Sequence, residues 1–351
     1  MILRKIYIGH DTMKTVNKCV NEFNFSDMFT EDNVIKSSNF ENNPLVIDEK
    51  KPLLVFILNK YALNMTFNFL CNTKYIEDVH EQILIIALDV EAKEKLLEKY
   101  PNLHVLLLNI SCLHHPFNYG DGYYQSFYVL RANLSLELLN HGYSFYMAQQ
   151  DTFWRDSLLK IKLPPDADIT FDTASSKVNL IAGGHYFTHP TEKSKKFFST
   201  LSKDLSKFYA PDNAYMTLLC YRKIAKCDFI KINFITNWIW LFDNNLREEF
   251  KDPMLIQFDG HTELGGKLDF MKKLGFYFMK DNDMVCDKEV VERRMKGLSK
   301  FNDGDELLNL MSFKQFSFYQ NLIEIFYSNW IMEFIMNEII FPYSFYFMIS
   351  L

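Results

Sequence analysis

The sequence lacks the marks of several common protein classes. Its 351 residues contain 38 Lys and Arg against 44 Asp and Glu, a formal net charge of −6, so no excess of positive charge is present. This balance argues against a protein that binds nucleic acid through general basicity. The six cysteines include no CxxC pair, which gives no support to a zinc ribbon or a thioredoxin-type motif. One or two disulfides remain compatible with their spacing.

Long apolar stretches are missing at both ends of the chain. The first 18 residues contain no uninterrupted apolar run of signal-peptide length, so no cleaved signal and no membrane anchor is indicated there. Residues 339–351 are uncharged, but 13 residues fall short of the roughly 20 that a spanning helix needs. Membrane association through this tail, or through an anchor outside the chain, stays open as an interpretation.

Aromatic side chains are what the sequence has in excess. It contains 33 Phe, 19 Tyr and 4 Trp, which is 16% of the residues, and residues 313–351 hold 13 of them. With 48% hydrophobic and 23% charged residues, the composition is typical of a folded globular protein. We divide the chain into a polar leader over residues 1–50, a domain over residues 51–285 and an extension over residues 286–351 that ends in the aromatic-rich tail.

Short apolar runs alternate with segments of helical spacing after the leader. The runs cover residues 53–58, 83–88 and 104–108, and the helical segments cover residues 64–72, 90–100 and 123–139. Continuous apolar runs of this length are typical of strands that are buried on both faces of a mostly parallel sheet. Downstream we predict strands at 168–172, 178–188 and 229–234, and helices at 191–209, 212–224 and 266–274. The pattern predicts an α/β fold.

A polar cluster follows the fourth predicted strand, which covers residues 143–148. Gln149, Gln150 and Asp151 come directly after this strand, and Thr152-Phe153-Trp154 follows them. Open α/β sheets bind their ligands at the carboxyl ends of central strands. The cluster is therefore the first candidate for a functional site, and we expect Phe153 and Trp154 to pack beneath it.

This arrangement, continued by Arg155-Asp156, resembles the nucleotide-diphospho-sugar transferase domain family, which comprises glycosyltransferases of the GT-A fold. In that family the strand ends in an Asp-x-Asp motif, and here Asp151 matches the second acidic position while Gln149 occupies the first. Further matches follow in the expected order over residues 52–280: Asn59, Arg131, the turn Ala182-Gly183-Gly184, Asp212-Asn213, His261 and Lys267. The resemblance implies a Rossmann-related, mostly parallel central sheet that is flanked by helices.

The resemblance also implies an activity. The protein would move a hexose or pentose from a nucleotide-diphosphate donor to a hydroxyl acceptor such as a glycan or glycoprotein, with retention if the nearest family members are a guide. It would act in the Golgi or the secretory lumen, with which four N-glycosylation sequons, at Asn24, Asn64, Asn109 and Asn133, are compatible. Two alternatives are a divergent member that binds sugar nucleotide or glycan without turnover, and a scaffold or membrane-associated protein that acts through its aromatic tail.

The resemblance assigns a divalent cation to the strand end. Asp151 would bind Mn²⁺ or Mg²⁺ beside the donor diphosphate, with His261 as a second ligand, because hard cations favour carboxylate oxygens. Gln149 offers only a neutral carbonyl oxygen, so it would hold a cation more weakly, although it could hydrogen-bond a ribose hydroxyl. Metal dependence is therefore in doubt. Asp151 could instead be a strand-end turn residue.

The other matched residues have two interpretations each. By resemblance, Lys267 would meet the phosphates, Arg131 and Asn59 would contact the nucleotide, and Gly184 with Asp212 would lie at the reaction centre. From the residues alone, Arg131 could pair with a carboxylate such as Asp156, and Asn59 could cap the helix that follows it. Similarly, Gly183-Gly184 could be a plain tight turn, and Asp212 a favourable acidic residue at a helix start.

Overall fold

The computed structural model describes residues 12–25, 51–118, 120–175, 177–250, 253–258, 266–280, 285–298, 318, 321–322 and 324–340. The strands in this part of the chain are β1 (Leu53–Leu58), β2 (Ile83–Ala87), β3 (His104–Leu107), β4 (Phe145–Met147), β5 (Thr152–Trp154), β6 (Ile169–Thr173), β7 (Ile181–Thr188), β8 (Cys227–Ile230), β9 (Ile235–Asn237), β10 (Leu255–Gln257), β11 (Met279–Lys280) and β12 (Val285–Cys286). The helices are α1 (12–20), α2 (Leu63–Thr73), α3 (Val79–Gln82), α4 (Val90–Lys99), α5 (Gly122–Asn140), α6 (Glu192–Leu205), α7 (Asp212–Tyr221), α8 (Asn244–Glu249), α9 (Lys267–Lys273), α10 (Lys288–Lys296) and α11 (Trp330–Phe334).

The core of the described part is a seven-stranded sheet with the order β3-β2-β1-β4-β7-β6-β8. Four of its pairings are parallel, namely β1 with β2, β1 with β4, β2 with β3, and β6 with β8. Strand β7 runs antiparallel to both β4 and β6. The predicted fold class, an α/β fold with a mostly parallel central sheet flanked by helices, is confirmed.

Strand β1 shows why continuous apolar runs form the centre of this sheet. All six of its residues are buried. Leu54, Phe56 and Leu58 pack into the hydrophobic cluster on one face, and the alternate residues pack into the cluster on the other face. Because side chains alternate across a strand, a strand covered on both faces must be apolar at every position.

A three-stranded sheet, with the order β5-β10-β9, was not predicted from the sequence. Strand β10 pairs antiparallel with β5 and parallel with β9. The buried Asn72 side chain fixes β5 by donating to the Trp154 carbonyl at 3.0 Å and accepting from the Trp154 N–H at 2.7 Å. As predicted, Phe153 and Trp154 pack beneath the polar cluster, and both are fully buried.

Other boundaries also differ from the sequence prediction. The strand predicted at 229–234 is shorter, because β8 ends at Ile230 and a turn closed by the Phe234 N–H to Lys231 carbonyl bond of 2.9 Å follows. Part of the segment interpreted as a polar leader forms helix α1. Its Val16 and Cys19 are fully buried, because a spacing of three places both on one helix face.

All six cysteines lie in the described part of the chain, and they form three disulfides: Cys19–Cys112, Cys71–Cys286 and Cys220–Cys227. Among the described residues of the aromatic-rich tail, Phe318, Trp330 and Phe334 are exposed, whereas Tyr327 is buried. No helix within the described ranges has the length and the hydropathy needed to cross a bilayer.

Candidate active site

The polar cluster lies at the carboxyl end of β4, as the sequence predicts. Strand β4 ends at Met147, and β5 begins at Thr152. Between them, the Gln150 side chain donates to the Ile57 carbonyl at 3.0 Å, and the Phe258 N–H donates to the Asp151 carbonyl at 2.8 Å. These bonds hold the backbone of the cluster against both sheets, so its side chains occupy defined positions.

Asp151 and Lys267 form an ion pair across 116 positions of sequence. The Lys267 Nζ lies 2.5 Å from the Asp151 Oδ2, and the Asp151 side chain is 7% exposed while that of Lys267 is 39% exposed. Lys267 is the first residue of α9. The structure therefore brings together two residues that the family resemblance had assigned to the donor diphosphate.

Gln149 is held by a second amide. The Gln257 Nε2 donates to the Gln149 Oε1 at 2.7 Å. Gln257 ends β10, and its amide fills the space that a side chain at Gly184 would occupy. The absence of a side chain at position 184 thus allows the close approach of the amide, and Gln149, Gln257 and Gly184 form one contiguous group.

Gly183 and Gly184, predicted to form a turn, lie instead within β7, where the pairing of this strand with β6 is irregular. The backbone of this irregular part is fixed by a buried carboxylate, that of Asp172. Its oxygens accept the backbone N–H groups of Gly183 at 2.8 Å, Gly184 at 3.0 Å and His185 at 2.8 Å. Gly183 has φ of +88°, a conformation that favours glycine. Sequence reasoning missed Asp172. The available signal was an acidic residue at the end of a predicted strand that also contains the apolar residues Ile169 and Phe171.

Beside this carboxylate, the His185 ring is fully buried, with its Nδ1 3.5 Å from the Asp172 Oδ2. Neither ring nitrogen has a hydrogen-bond partner among the described residues. His185 directly follows Gly183 and Gly184, so its buried ring adds to the packing around these two glycines.

Arg131 and Asp212 form a buried ion pair next to Gly183. The Arg131 Nη2 lies 2.5 Å from the Asp212 Oδ2 and donates to the Gly183 carbonyl at 2.8 Å. Burial lowers the pKa of Arg131, but the negative charge of Asp212 and the neighbouring tyrosines outweigh this effect, so the pKa is raised above its ordinary value. Asp156, the suggested partner of Arg131, pairs with Lys160 instead, because Arg131 lies on the α5 face that is turned toward α7.

Asn59 caps the short 3₁₀ helix Lys60–Ala62. Its Oδ1 accepts the Tyr61 N–H at 3.1 Å, and its Nδ2 donates to the carbonyls of Leu113 and His115. The capping interpretation is therefore observed, and contact with a nucleotide stays a prediction. His261, predicted as a metal ligand, lies outside the described residues.

The described donor set does not fit a divalent cation. Such an ion needs several oxygen or nitrogen ligands, and none of the described residues form a cluster of three His, Cys, Asp or Glu. The Asp151 carboxylate already faces an ammonium group, and the Gln149 carbonyl oxygen already accepts a hydrogen bond. The described side chains thus supply no open set of ligands for Mn²⁺ or Mg²⁺.

A family model described as nucleotide-diphospho-sugar transferase matches residues 78–271, more than half of the chain. The chain belongs to this family. The matched range of the transferase contains Arg131, Gln149, Asp151, Asp212 and Lys267, while Asn59 precedes it. Family membership confirms the resemblance that these residues carry, and a nucleotide sugar is the donor class that fits it.

Solved structures with a similar fold share little sequence with this transferase. The bifunctional glycosyltransferase WbbM is 11% identical, with 72% of this chain and 52% of that chain covered and a TM-score of 0.44. The glycosyltransferase GlyE of Streptococcus pneumoniae TIGR4 is 8% identical, with 72% and 64% covered and a TM-score of 0.43. The galactosyltransferase LgtC is 13% identical, with 66% and 98% covered and a TM-score of 0.40.

The chain therefore spans only about half to two thirds of the first two of these proteins. A search of curated proteins finds no match to it.

Proposed function

We propose that this protein transfers a hexose or pentose from a nucleotide-diphosphate donor to a hydroxyl acceptor, with retention of the anomeric configuration. The observation that carries the proposal is the contiguous group at the carboxyl end of β4. There Lys267 contacts Asp151, and Gln257 joins Gln149 to Gly184 of β7. Family membership supports the donor class, and the resemblance supports retention. The Mn²⁺ or Mg²⁺ requirement implied by the resemblance is not part of this proposal, because the described donor set does not fit the ion.

The chemistry follows from where charge develops. As the glycosidic C–O bond breaks, its electron pair passes to the diphosphate oxygen, and the nucleotide diphosphate leaves. A new bond forms between the anomeric carbon and the acceptor oxygen, and the proton of the acceptor hydroxyl passes to the departing diphosphate. Lys267 would stabilise the growing phosphate charge, since a fixed cation at the leaving group lowers the barrier. The part of β7 at Gly183 and Gly184, which has no side chains, would let backbone approach the sugar closely. Asp212 and Arg131 would hold this part of β7 at the reaction centre.

The compartment forms part of the proposal. Three disulfides support an oxidising site of action such as the Golgi or the secretory lumen, because structural disulfides persist there. The sequon residues Asn24, Asn64 and Asn109 are exposed, which supports a glycoprotein. Asn133 differs, since its side chain accepts a hydrogen bond from Ser202 at 2.6 Å on the surface between α5 and α6.

The experiment is a thermal-shift screen of the full chain against UDP-glucose, UDP-galactose, UDP-xylose and GDP-mannose. It is followed by a transfer assay with the stabilising donor and a panel of simple glycosides. We expect one donor to raise the melting temperature and to yield a glycosylated product. The anomeric proton coupling of that product in NMR reports retention. If no donor is bound, the proposed function is wrong.

A second candidate, a protein that binds sugar nucleotide or glycan without turnover, is favoured by one observation. Gln149 stands at the first acidic position of the family motif, and its carbonyl oxygen is committed to Gln257. This candidate predicts donor binding in the thermal-shift screen with no release of nucleotide diphosphate. Donor hydrolysis distinguishes the two candidates: release of nucleotide diphosphate, even if slow, favours the transferase, and its absence favours the binding protein.

A further inference from the structure

We propose that the nucleotide-diphosphate donor is bound without a divalent metal ion, and that the Lys267 ammonium, held by Asp151, supplies the positive charge at the diphosphate. This inference deepens the proposed function and rests on it. It departs from the metal-assisted site that the sequence resemblance implies, and it follows from the contacts of three side chains.

The position beside the Asp151 carboxylate is taken by a cation that belongs to the chain. The Lys267 Nζ lies 2.5 Å from the Asp151 Oδ2. A hard divalent ion would approach the same oxygen at about 2.0–2.6 Å, and two cations that share one oxygen at such distances repel each other strongly. The ion pair must therefore break before Asp151 can serve as a metal ligand through this oxygen.

The neighbouring motif position cannot compensate. A glutamine can offer a cation only its carbonyl oxygen, and the Gln149 Oε1 already accepts from the Gln257 Nε2 at 2.7 Å. The Gln257 amide is in turn lodged against Gly184. Freeing the Gln149 oxygen would thus require the Gln257 amide to move away from both Gln149 and Gly184.

The two motif positions, Gln149 and Asp151, carry less negative charge than the two carboxylates of the family motif. Two carboxylates would be neutralised by a divalent ion, whereas here one carboxylate and one neutral amide are neutralised by one ammonium. Because the Lys267 side chain is 39% exposed, the cation faces the solvent side on which a diphosphate would arrive. Asp151 is buried and fixed by its backbone bond from Phe258, so it acts as a positioning residue for the cation.

The test measures binding of UDP-glucose, UDP-galactose, UDP-xylose and GDP-mannose to the full chain by calorimetry, with EDTA and with Mn²⁺. We expect the Kd of the donor that binds to agree within about threefold between the two conditions. Lys267→Met keeps the aliphatic stem and removes the charge, so it should weaken binding in EDTA by about tenfold or more. Lys267→Arg should restore most of that loss, because it returns the positive charge.

Two further variants make the test specific. Lys273→Met removes a lysine from the other end of the same helix and should change the Kd by less than about twofold. Asp151→Asn keeps the shape of the side chain but removes its negative charge, and donor binding to this variant should stay insensitive to Mn²⁺. Thermal unfolding checks that each variant is folded.

Two results would overturn the inference while leaving the proposed function intact: donor binding that requires Mn²⁺, or binding in EDTA that Lys267→Met does not alter. If none of the donors binds under either condition, the proposed function itself is wrong and the inference fails with it.

Discussion

The two carboxylate–cation pairs of the candidate site have the same length and differ in burial. In each pair the nitrogen and oxygen lie 2.5 Å apart. The Arg131 and Asp212 side chains are 5% and 7% exposed, whereas Lys267 is 39% exposed beside a buried Asp151. The buried pair joins α5, α7 and the Gly183 carbonyl, so its charges hold the scaffold. The half-exposed pair keeps a cation at the surface, where a charged ligand can reach it.

Removing the cation of the buried pair gives the largest expected effect. Arg131→Met leaves the Asp212 charge buried without its partner, so we expect the free energy of unfolding to fall by about 3–5 kcal/mol in urea denaturation. The double variant Arg131→Met/Asp212→Leu removes both charges and should recover much of this loss. A double variant as unstable as the single one would show that packing, and not charge, dominates this region.

Substitution of Asp172 tests the same buried region, because this carboxylate binds neutral backbone N–H groups and not a charged side chain. Asp172→Ala leaves three backbone N–H groups without an acceptor, and we expect a loss of about 3 kcal/mol in the free energy of unfolding. Asp172→Asn retains one acceptor oxygen, so its free energy of unfolding should lie between those of Asp172→Ala and the unsubstituted protein. Equal stability of Asp172→Ala and the unsubstituted protein would contradict our conclusion that this carboxylate holds the backbone at residues 183–185.

The adjacent glycines lie where the two regions meet. Gly183→Ala strains a residue with φ of +88° and brings its Cβ to 2.6 Å from the Asn213 Cβ, so we expect a loss of about 2 kcal/mol. In Gly184→Ala the new Cβ meets only the end of the flexible Gln257 side chain, so the loss should stay below about 1 kcal/mol. Chemical denaturation of the matched pair measures both. A greater loss for Gly184→Ala would reverse our assignment of the rigid position.

Lys267→Met should have the smallest effect on stability. The Lys267 side chain is 39% exposed, so water can take its place beside the Asp151 carboxylate, and we expect the free energy of unfolding to change by less than about 1 kcal/mol. Thermal unfolding at low and high salt measures this directly. A loss as large as that of Arg131→Met would place Lys267 with the scaffold and remove the distinction between the two pairs.

Most of the central sheet could be predicted because each strand carries its own signal. The apolar run at residues 53–58 coincides with β1, since burial on both faces leaves a continuous hydrophobic stretch. Strands β5, β9 and β10 have three residues each, which is too short for a periodic pattern. The second sheet therefore depended on tertiary pairing that no local signal carries.

The candidate site was predicted as a set of residues and not as a set of contacts. The order of motifs selected both Asp151 and Lys267, yet their direct pairing, across 116 positions, follows only from the fold. In the same way, Arg131 finds Asp212 and not Asp156. The roles of Gln257 and Asp172 could not be assigned, because a single polar residue at a strand end is common and becomes informative only beside its partners.

The Cys19–Cys112 disulfide gives α1 a second covalent connection to the rest of the chain, at the segment that follows β3. A single backbone cleavage anywhere between residues 26 and 50 would leave α1 covalently attached through this bond, and the two fragments would separate only after reduction. Either the backbone or the oxidised cysteine pair is therefore enough to keep α1 covalently attached to the rest of the protein.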